Sequence, residues 1–570
     1  MCGIAGIIGA GPDVDTLIRS LAHRGRDGIR VQHLPGASLG HARLSIIDLE
    51  GGWQPLSAAG ATVIGNGEIY NYVELTKAHG LSDTLATGSD FEPLVHLYAR
   101  EGPAAFDRLR GMYALCLIGA DGDAWLVRDP FGIKPLYYME LDGGVAFASE
   151  PRAFAAAGLV ETRLGAEAAE ELLGFNYTLG ETPLTGGVRR ARPGERILIR
   201  NGRILSQTHT PPLEASPATR AQRRKPSDDA SMVRDLDAVL EDSVRIHQRS
   251  DAPFGLFLSG GVDSTAIGVL MARLNERPVT AFTCGFTAPG AADERGQAER
   301  VARALGMEWR EVSFGEEDFW NLLPQVAWAM DDPMADYAAL PTYRLAQAAR
   351  GELTVVLTGE GGDELFGGYG RYRRALRPRW LGGRPAEPRP DKIETLDRWR
   401  RVVRPPAGLT RLQEAQWADI VTWLPNDLLL KLDRCLMANG LEGRTPFLDR
   451  EVAAFAFNLP DKAKVRGRHG KWILRRWLEE VCPAAQPWAR KQGFTVPVDA
   501  WIDARAGVLG ETLSQSPALR RRRSAEEIQA TFRAPNPGRR WPLLFLAAWS
   551  LIHEEGVAPS EVRGALLGEA

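Results

Sequence analysis

The stretch from Phe254 to Ser264, FGLFLSGGVDS, constrains the fold of this chain more than any other. A short apolar run ends there in two glycines flanked by hydroxyl side chains and an aspartate, and Thr265 to Leu274 then resumes with a helix-like pattern. This order predicts a strand, a glycine turn and a helix. The backbone N–H groups from Ser259 to Val262 should lie open at the helix N-terminus, where the helix dipole favours an anion. The turn is therefore predicted to hold a phosphate group.

The turn has no lysine, although the usual mononucleotide loop, GxxxxGK[ST], requires one. The phosphate charge must then be met by backbone N–H groups, by the hydroxyls of Ser259 and Ser264, and by a metal ion. Asp263 is the predicted ligand of that metal.

A second stretch, Leu353 to Glu364 (LTVVLTGEGGDE), repeats this design of strand, glycine turn and acids. Loops at the ends of neighbouring parallel strands face the same crevice of an open α/β sheet. Asp363 should therefore meet Asp263 across a triphosphate. Mg²⁺ is the expected metal, because it takes one or two carboxylates and completes its shell with phosphate oxygens and water.

Length and composition indicate a two-domain protein of ordinary charge. At 570 residues the chain is longer than one core usually grows, and its net charge of −3 gives no basic field that would draw it to nucleic acid or membrane. Five scattered cysteines without CxxC spacing argue against disulfides or zinc and indicate a reducing compartment. We see no signal peptide and no membrane-spanning run, so we expect a cytoplasmic protein with small-molecule partners.

Pattern changes divide the chain into two domains and a linker. Residues 1–205 carry short alternating runs typical of a strand-rich α+β domain, and residues 206–231 form a polar linker. Residues 232–570 alternate strands with helices, which predicts an α/β domain with a parallel sheet. The predicted strands include Leu39 to Asp48, Thr62 to Ile64, Phe254 to Leu258, Val279 to Cys284 and Leu353 to Leu357, and the predicted helices include Val14 to Ala22, Val233 to His247, Arg295 to Leu305 and Leu340 to Ala349.

Cys2 follows the initiator methionine, and a side chain this small normally permits removal of that methionine. The thiol would then lie beside a free α-amino group whose pKa of about 7.7–8.0 suits a general base at neutral pH. One residue would thus supply a nucleophile and its base. The segments that accompany it are MCGIAGIIG at the N-terminus, HRGRDG from His23, GHARLSIIDL from Gly40, NGEIYNY from Asn66, GSD from Gly88 and RDPFGIKPLYY from Arg128.

Together these segments resemble the class II, N-terminal-nucleophile glutamine amidotransferases, and the resemblance covers essentially the whole first domain. It implies an N-terminal-nucleophile sandwich in which the cysteine attacks the glutamine side-chain amide and releases ammonia. Arg43 would hold the glutamine α-carboxylate by its two-pronged fork, and Asp90 would hold the α-ammonium. The amide of Asn66 and the backbone N–H of Gly67 would form the oxyanion hole, with Glu68 also among the glutamine-binding residues.

The same residues also have plain structural interpretations. An arginine that bridges strands at position 43, a hairpin turn at Asn66-Gly67 and a helix cap at Asp90 would explain them without chemistry. A tight turn also exposes backbone N–H groups, so these interpretations are compatible with function.

Two residues depart from the family pattern. Arg26 replaces the proline of HRGPD, and Gly65 replaces the phenylalanine of FNGEIYN. Neither has an assigned role in the chemistry, so we expect the departures to change only the local loop shape.

The turn at Ser259 resembles that of the PP-loop ATP pyrophosphatases, which cut ATP to AMP and pyrophosphate while adenylating a substrate. SGGVDS, TGEGGDELFGGY, LEGRTPFLD and RKQGF, behind a glutaminase domain, resemble the bacterial B-type glutamine-hydrolysing asparagine synthetases. This resemblance spans both domains and implies an adenine nucleotide α-hydrolase-like fold for the second. It also implies that Leu258 and Cys284 flank the adenine through backbone contacts. The implied ATP-binding set is Leu258, Ser259, Gly260, Gly261, Asp263, Ser264, Cys284, Thr358 and Gly359.

Two further residues would act on the β-aspartyl-AMP step by the same resemblance. Lys491 would neutralise charge at the α-phosphate, and Glu360 would orient or deprotonate the incoming ammonia. One more surface lysine is the plain interpretation of Lys491, and only its RKQGF context argues for a role. Asp433 and Arg434 lie in the aspartate-side segment and receive no role.

The leading hypothesis is ATP-dependent conversion of aspartate to asparagine with glutamine as nitrogen donor. The same amidation of another carboxylate, in peptide or surface-sugar modification, stays open because nothing in the sequence fixes the acceptor. Intramolecular amide closure and nucleotide sensing are disfavoured, because both catalytic sets are complete. Modification of tRNA is disfavoured too, since the basic runs Arg398 to Arg404 and Arg520 to Arg523 are better explained as helix faces or salt bridges.

Two expectations concern assembly. The family alone implies a homodimer. Ammonia in bulk water at neutral pH becomes mostly ammonium, which cannot attack. We therefore expect the two sites to face a shared, mostly apolar passage that disfavours the charged form.

Overall fold

The computed structural model describes residues 2–180, 182–213, 228–287, 294–384, 387–489, 496–534 and 537–569. Its first part contains two antiparallel six-stranded sheets, ordered β10-β8-β9-β1-β3-β2 and β12-β11-β7-β6-β5-β4. The strands are β1 Gly3–Gly9, β2 Gly28–Leu34, β3 Ala37–Arg43, β4 Leu56–Ala58, β5 Ala61–Ile69, β6 Gly111–Ile118, β7 Ala124–Arg128, β8 Tyr137–Leu141, β9 Gly144–Ala148, β10 Arg189–Arg190, β11 Glu195–Arg200 and β12 Arg203–His209.

The two sheets pack face to face, because one face of each is apolar. Ile4 and Phe147 of the first sheet share a core with Ile64, Cys116 and Leu126 of the second. Helices cover both outer faces, so the layers are helix, sheet, sheet, helix. This arrangement is the predicted α+β sandwich. The helices of this part are α1 Val14–Arg19, α2 Tyr72–Ala78, α3 Glu92–Glu101, α4 Arg152–Ala156 and α5 Ala166–Phe175.

The second part is built on a five-stranded parallel sheet ordered β15-β14-β13-β16-β17. Its strands are β13 Phe254–Phe257, β14 Thr280–Phe286, β15 Glu308–Phe314, β16 Val355–Leu357 and β17 Glu442–Arg444, and a small hairpin follows with β18 Val465–Arg466 and β19 His469–Gly470. The sheet grows in one direction from β13 to β15 and in the other from β16 to β17. The switch point where α/β sheets bind ligands therefore lies between β13 and β16, the two strands that precede the glycine turns.

Helices surround this sheet in the described part of the chain. They are α6 Asp229–His247, α7 Val262–Leu274, α8 Arg295–Ala304, α9 Glu316–Ala329, α10 Ala339–Ala349, α11 Gly362–Phe366, α12 Gly370–Leu376, α13 Ile393–Val403, α14 Arg411–Ala418, α15 Leu429–Met437, α16 Arg450–Asn458, α17 Asp461–Lys464, α18 Trp472–Val481, α19 Val498–Asp503, α20 Ala506–Leu513, α21 Pro517–Arg520, α22 Ala525–Arg533, α23 Arg540–His553 and α24 Pro559–Leu567. A π-helical segment, Asp419–Leu428, joins α14 to α15. No helix in the described part of the chain is long and apolar enough to cross a membrane.

Predicted elements agree with the structure except at some ends. The strand predicted from Leu39 to Asp48 is wrong beyond Arg43, because the Ser45 N–H donates to Asp27 Oδ2 at 2.7 Å instead of to a neighbouring strand. Helix α6 begins four residues before the predicted Val233, since the Asp228 side chain accepts the Ser231 N–H and caps an earlier first turn.

The proposed division of the chain stays a prediction. The predicted linker, residues 206–231, begins inside β12 and ends inside α6, and its central residues 214–227 lie outside the described part of the chain.

The two parts share an interface that is both apolar and charged. Leu44, Met112 and Ile133 of the first part belong to the same core as Leu441 and Phe447 of the second. The buried Lys134 side chain crosses the same interface, with Nζ 3.5 Å from the Gly443 carbonyl. The interface thus contains a buried cation as well as apolar side chains, and the mostly apolar passage for ammonia stays a prediction.

Arginines of both basic runs form salt bridges within the protein. Arg398 pairs with Glu171, and Arg523 pairs with Glu170, both on α5. Arg522 pairs with Glu554 at 2.8 Å. The interpretation of these arginines as salt-bridge partners is therefore confirmed.

Candidate active sites

Cys2 lies immediately before β1, beside the middle of β5. Its backbone nitrogen donates to Asn66 Oδ1 at 3.3 Å, and its Sγ lies 3.9 Å from the Leu44 carbonyl oxygen. Burial raises the pKa of the Cys2 thiol. The neutral thiol is thus favoured, and attack on a substrate requires a nearby base. Loss of Met1 would turn the Cys2 nitrogen into an α-amine in that position.

Asn66 and Gly67 lie inside β5, opposite Ala114 and Tyr113 of β6. The hairpin interpretation of Asn66-Gly67 is therefore wrong. Gly67 has φ +138°, and a Cβ there would lie 1.9 Å from the Met112 carbonyl oxygen, so only glycine fits. The buried Asn66 Nδ2 has no hydrogen-bond partner among the described residues. An unused donor beside the thiol is what an oxyanion hole needs.

Arg43 ends β3, and its guanidinium is fixed by the loop that follows. Nη1 donates to the Leu49 carbonyl at 3.1 Å, Nη2 donates to the Asp48 carbonyl, and the Trp53 ring lies 4.9 Å away. Arg43 thus contacts a loop and does not bridge strands through its side chain. Its role in binding a carboxylate stays a prediction.

Asp90 and Glu68 are buried acids near the same strand. Asp90 Oδ2 accepts the Ile69 N–H at 2.7 Å, and α3 begins at Glu92 without a side-chain cap, so the capping interpretation of Asp90 is wrong. Burial raises the pKa of Asp90 to about 7. Glu68 lies 3.5 Å from Arg444 of β17, and burial raises its pKa well above the usual range.

Arg24, in the HRGRDG segment, was not predicted as a site residue. It is fully buried, and its Nε donates to the Cys2 carbonyl at 3.2 Å. Its Nη1 donates to Glu150 at 2.7 Å and to Asp433 at 2.8 Å, and its Nη2 donates to Asp433 at 3.1 Å. Arg434 also reaches Glu150, at 2.8 Å. Asp433 and Arg434 therefore face the first domain. Their positions in the sequence did not predict this contact.

The first glycine turn, after β13, is closed by its own hydroxyls. The Ser259 N–H donates to Ser264 Oγ at 3.2 Å, and the Gly261 N–H donates to Ser259 Oγ at 3.2 Å. The prediction that all N–H groups from Ser259 to Val262 are open is therefore wrong for these two residues. Gly260 has φ +73°, and a Cβ there would lie 2.8 Å from the Ala298 nitrogen. A phosphate would have to displace the hydroxyl acceptors, which rotate freely.

The second glycine turn, after β16, packs directly against Asp263. A Cβ at Gly359 would lie 2.9 Å from the Asp263 Cβ, and one at Gly362 would lie 2.6 Å from its Cγ. The glycines of one loop thus make room for the acid of the other. The prediction that the two loops face the same crevice is confirmed.

Asp263 and Asp363 converge on Lys471, a residue that sequence reasoning missed. Lys471 Nζ lies 2.5 Å from Asp363 Oδ1 and also contacts Asp263 Oδ2. Burial would lower the pKa of Lys471, but the two carboxylates raise it overall. Nothing in the sequence around Lys471 marks it as a site residue, and the structure holds it at φ +53° immediately before α18. The described residues contain no group of three or more His, Cys, Asp and Glu suited to a metal.

Glu360 is a partly exposed residue of the same turn, and burial of its carboxyl raises its pKa. The Lys431 ammonium opposes this shift, while Asp336 adds to it. Lys431 Nζ itself binds Asp336 Oδ2 at 2.7 Å. Glu360 therefore lies near the Asp263–Asp363 pair and near the Lys431–Asp336 pair, and its role at the acceptor stays a prediction.

The remaining nucleotide residues are placed as follows. Leu258 directly follows β13, and Cys284 lies within the adjacent strand β14. The Leu258 N–H donates to the Phe282 carbonyl at 2.9 Å, and the Thr358 N–H donates to the Arg444 carbonyl at 2.9 Å. These two donors are thus used within the protein. Lys491 lies outside the described residues.

Known proteins match both parts of the chain. The Asparagine synthase family model matches residues 235–551, and the Glutamine amidotransferase domain model matches residues 1–210. The chain is 34% identical to asparagine synthetase (glutamine-hydrolysing) 1 of Bacillus subtilis, with 88% of each chain covered. It is 28% identical to asparagine synthetase B (glutamine-hydrolysing) of Escherichia coli K12, with 90% of this chain and 86% of the relative covered. The chain belongs to the family of glutamine-hydrolysing asparagine synthetases.

Proposed function

We propose that this protein makes asparagine from aspartate, with ATP to activate the carboxylate and glutamine to supply ammonia. The proposal is carried by two separate groups of residues that the structure brings together in one chain. Cys2 lies beside an unused Asn66 amide donor, and two facing glycine loops bring Asp263 and Asp363 together. Glutamine hydrolysis and carboxylate adenylation need these two sets of groups.

In the first site the Cys2 α-amine accepts the thiol proton, and Sγ attacks the glutamine side-chain carbonyl. Asn66 Nδ2 and the Gly67 N–H then donate to the oxyanion. The C–N bond breaks as the amine returns its proton to the leaving nitrogen, so ammonia departs and a thioester remains. Water hydrolyses the thioester to glutamate. Arg43 and Asp90 hold the two charges of the glutamine backbone.

In the second site the aspartate β-carboxylate attacks the α-phosphate of ATP, and pyrophosphate leaves. Asp263 and Asp363 fit a divalent cation, because both already contact the single ammonium of Lys471. Bound there, Mg²⁺ would neutralise charge on the triphosphate. Lys471 adds a second positive charge at the same place, and Lys491 is proposed to act at the α-phosphate.

Ammonia from the first site completes the reaction at the second. It attacks the acyl carbon of β-aspartyl-AMP, and AMP leaves with the bonding electrons. The attacking nitrogen must lose a proton, and we propose that Glu360 accepts it. A raised Glu360 pKa suits this role, because a base with a pKa nearer neutrality takes a proton more effectively. The active form is proposed to be a homodimer, which sedimentation would test.

A carboxylate panel tests this proposal. The protein is incubated with glutamine, Mg-ATP and one acid at a time, and AMP plus pyrophosphate are scored against ADP plus phosphate. We expect L-aspartate to give AMP, pyrophosphate and asparagine in equal amounts. Success of a peptide or sugar carboxylate with failure of aspartate would replace the acceptor. Failure of every acid, or formation of ADP, would refute the adenylation chemistry.

A further inference from the structure

Gly65 lies in the middle of β5 directly under an aromatic ring. A Cβ built on Gly65 would lie 2.0 Å from Cε1 and 2.4 Å from Cζ of Phe91. Gly65 is not among the glycines with positive φ, so its backbone itself would accept a side chain. The ring of Phe91, which is 1% exposed, is therefore what requires glycine at this position.

The two faces of β5 have different tasks. Successive side chains alternate between the faces of a strand, so Val63, Gly65 and Ile69 share one face. Val63 and Ile69 pack with Phe91 in the core beneath α3. Asn66 points the other way, toward Cys2, and its Oδ1 accepts the Cys2 N–H. Phe91 thus packs against one face of β5, and the side chain of Asn66 projects from the opposite face.

The residue before Phe91 holds the same strand at a second point. Asp90 Oδ2 accepts the N–H of Ile69, four residues along β5 from Gly65. Asp90 and Phe91 are consecutive, so the ring over Gly65 and the carboxylate on Ile69 clamp β5 together. Movement of the ring would shift Asp90 relative to Asn66 and Gly67.

We propose that Phe91 is a positioning residue for glutamine hydrolysis: its ring, seated on Gly65, sets the distance between Asp90 and the oxyanion-hole donors. This inference rests on the proposed use of Cys2 for glutamine. It also explains a departure from the family pattern. The pattern FNGEIYN has a phenylalanine where this chain has Gly65, and in this chain a phenylalanine ring from the residue after Asp90 covers that position.

The first test is Phe91→Ala in the full-length protein. We expect kcat/KM for glutamine hydrolysis to fall about 10- to 100-fold, because a shift of about 1 Å in a reacting group costs this much. Synthesis from added ammonium should keep its wild-type rate. Leu94→Ala is the matched control, since Leu94 is buried on α3 in the same core but does not cover Gly65. It should leave the glutamine kinetics within about twofold of wild type, whatever it does to the melting temperature.

The second test exchanges the ring between the two positions. Gly65→Phe alone should abolish glutamine hydrolysis, because two rings cannot occupy one space. Gly65→Phe combined with Phe91→Ala should have a kcat/KM at least about tenfold above that of Phe91→Ala alone, because a ring again fills the same space, whereas simple relief of the clash would return no more than the Phe91→Ala value.

The inference is overturned if folded Phe91→Ala has wild-type glutamine kinetics, or if the exchange variant recovers nothing. Phe91→Leu replaces the alanine variant if that variant does not fold, with the same expected direction. A wild-type protein that does not hydrolyse glutamine would instead refute the proposed function, so the two failures are distinguishable.

Discussion

Arg24 of the first domain and Asp433 of the second form a buried two-point ion pair, with N–O distances of 2.8 and 3.1 Å. The third nitrogen of the same guanidinium, Nε, donates to the carbonyl of Cys2 at 3.2 Å. One side chain thus connects the nucleophile to helix α15 of the adenylating domain. The contact gives the packing of the two domains a direct influence on where the thiol lies.

Asp433→Asn should therefore weaken the coupling between the two activities. A buried arginine that loses its charged partner typically costs about 3–5 kcal/mol, although Glu150 retains part of the pairing here. We expect a lower free energy of unfolding in urea and a glutamine-dependent rate that falls several-fold more than the ammonium-dependent rate. Asp83→Asn, at an exposed site, is the control. Equal loss of both rates would contradict the coupling.

Arg43→Lys should raise the KM for glutamine far more than the KM for ATP or aspartate. The Asp48 and Leu49 carbonyls orient the guanidinium, and a lysine ammonium cannot present two parallel donors to a carboxylate. Steady-state kinetics with each substrate varied in turn provide the measurement. An unchanged KM for glutamine would remove Arg43 from the binding site.

The pKa of Asp90 predicts how glutamine binding depends on pH. Burial raises this pKa to about 7, and only the carboxylate form attracts an α-ammonium. The ionised fraction rises about tenfold between pH 6 and pH 8 for such a pKa, so the KM for glutamine should fall over that interval. Asp90→Asn should bind glutamine weakly at every pH in this range. A KM that rises with pH would exclude the assigned role.

The raised pKa of Asp90 also makes the free energy of unfolding depend on pH, and here a higher pH is unfavourable, whereas it favours glutamine binding. The folded protein retains a proton on Asp90 that the unfolded chain releases near pH 4, so this residue lowers the free energy of unfolding as pH rises from about 4 to 7. Asp90→Asn should remove that part of the pH dependence.

Local sequence pattern was sufficient to predict the strands that precede the two glycine turns of the candidate adenylation site. The apolar run before SGGVDS and the one before TGEGGD became adjacent parallel strands, β13 and β16, because strand ends in an open sheet face one crevice. The Asn66-Gly67 pair shows the limit of the same reasoning. Asn-Gly is the strongest local sequence signal for a β-hairpin turn, yet here both residues pair with β6 and lie within β5.

Contacts between distant segments could not be predicted in this way. Lys471 reaches Asp263 across 208 positions of the chain, and Arg24 reaches Asp433 across 409. Nothing in their local sequence distinguishes them from other cations. A charged side chain can be buried without a large energetic cost only when it has a partner of opposite charge. Which residue becomes that partner depends on how the whole domain packs.

Asp263→Ala should abolish pyrophosphate release and synthesis while leaving glutamine hydrolysis measurable. The substitution removes one of the two acids that contact Lys471, whereas Cys2 and Asn66 lie in the other domain. The measurement compares pyrophosphate and glutamate formation in the same folded variant. Lys471→Met should likewise impair synthesis more than glutamine hydrolysis. Loss of both activities to the same degree in either variant would argue against separate sites.

The most direct test of the account uses Cys2→Ala with two nitrogen sources. If Cys2 only releases ammonia and the second domain forms the amide, this variant should make no product from glutamine. It should make product at near the wild-type rate from a high concentration of ammonium at alkaline pH, together with AMP and pyrophosphate. Product from glutamine, or no product from ammonium in the folded protein, would contradict the division of labour between the two domains.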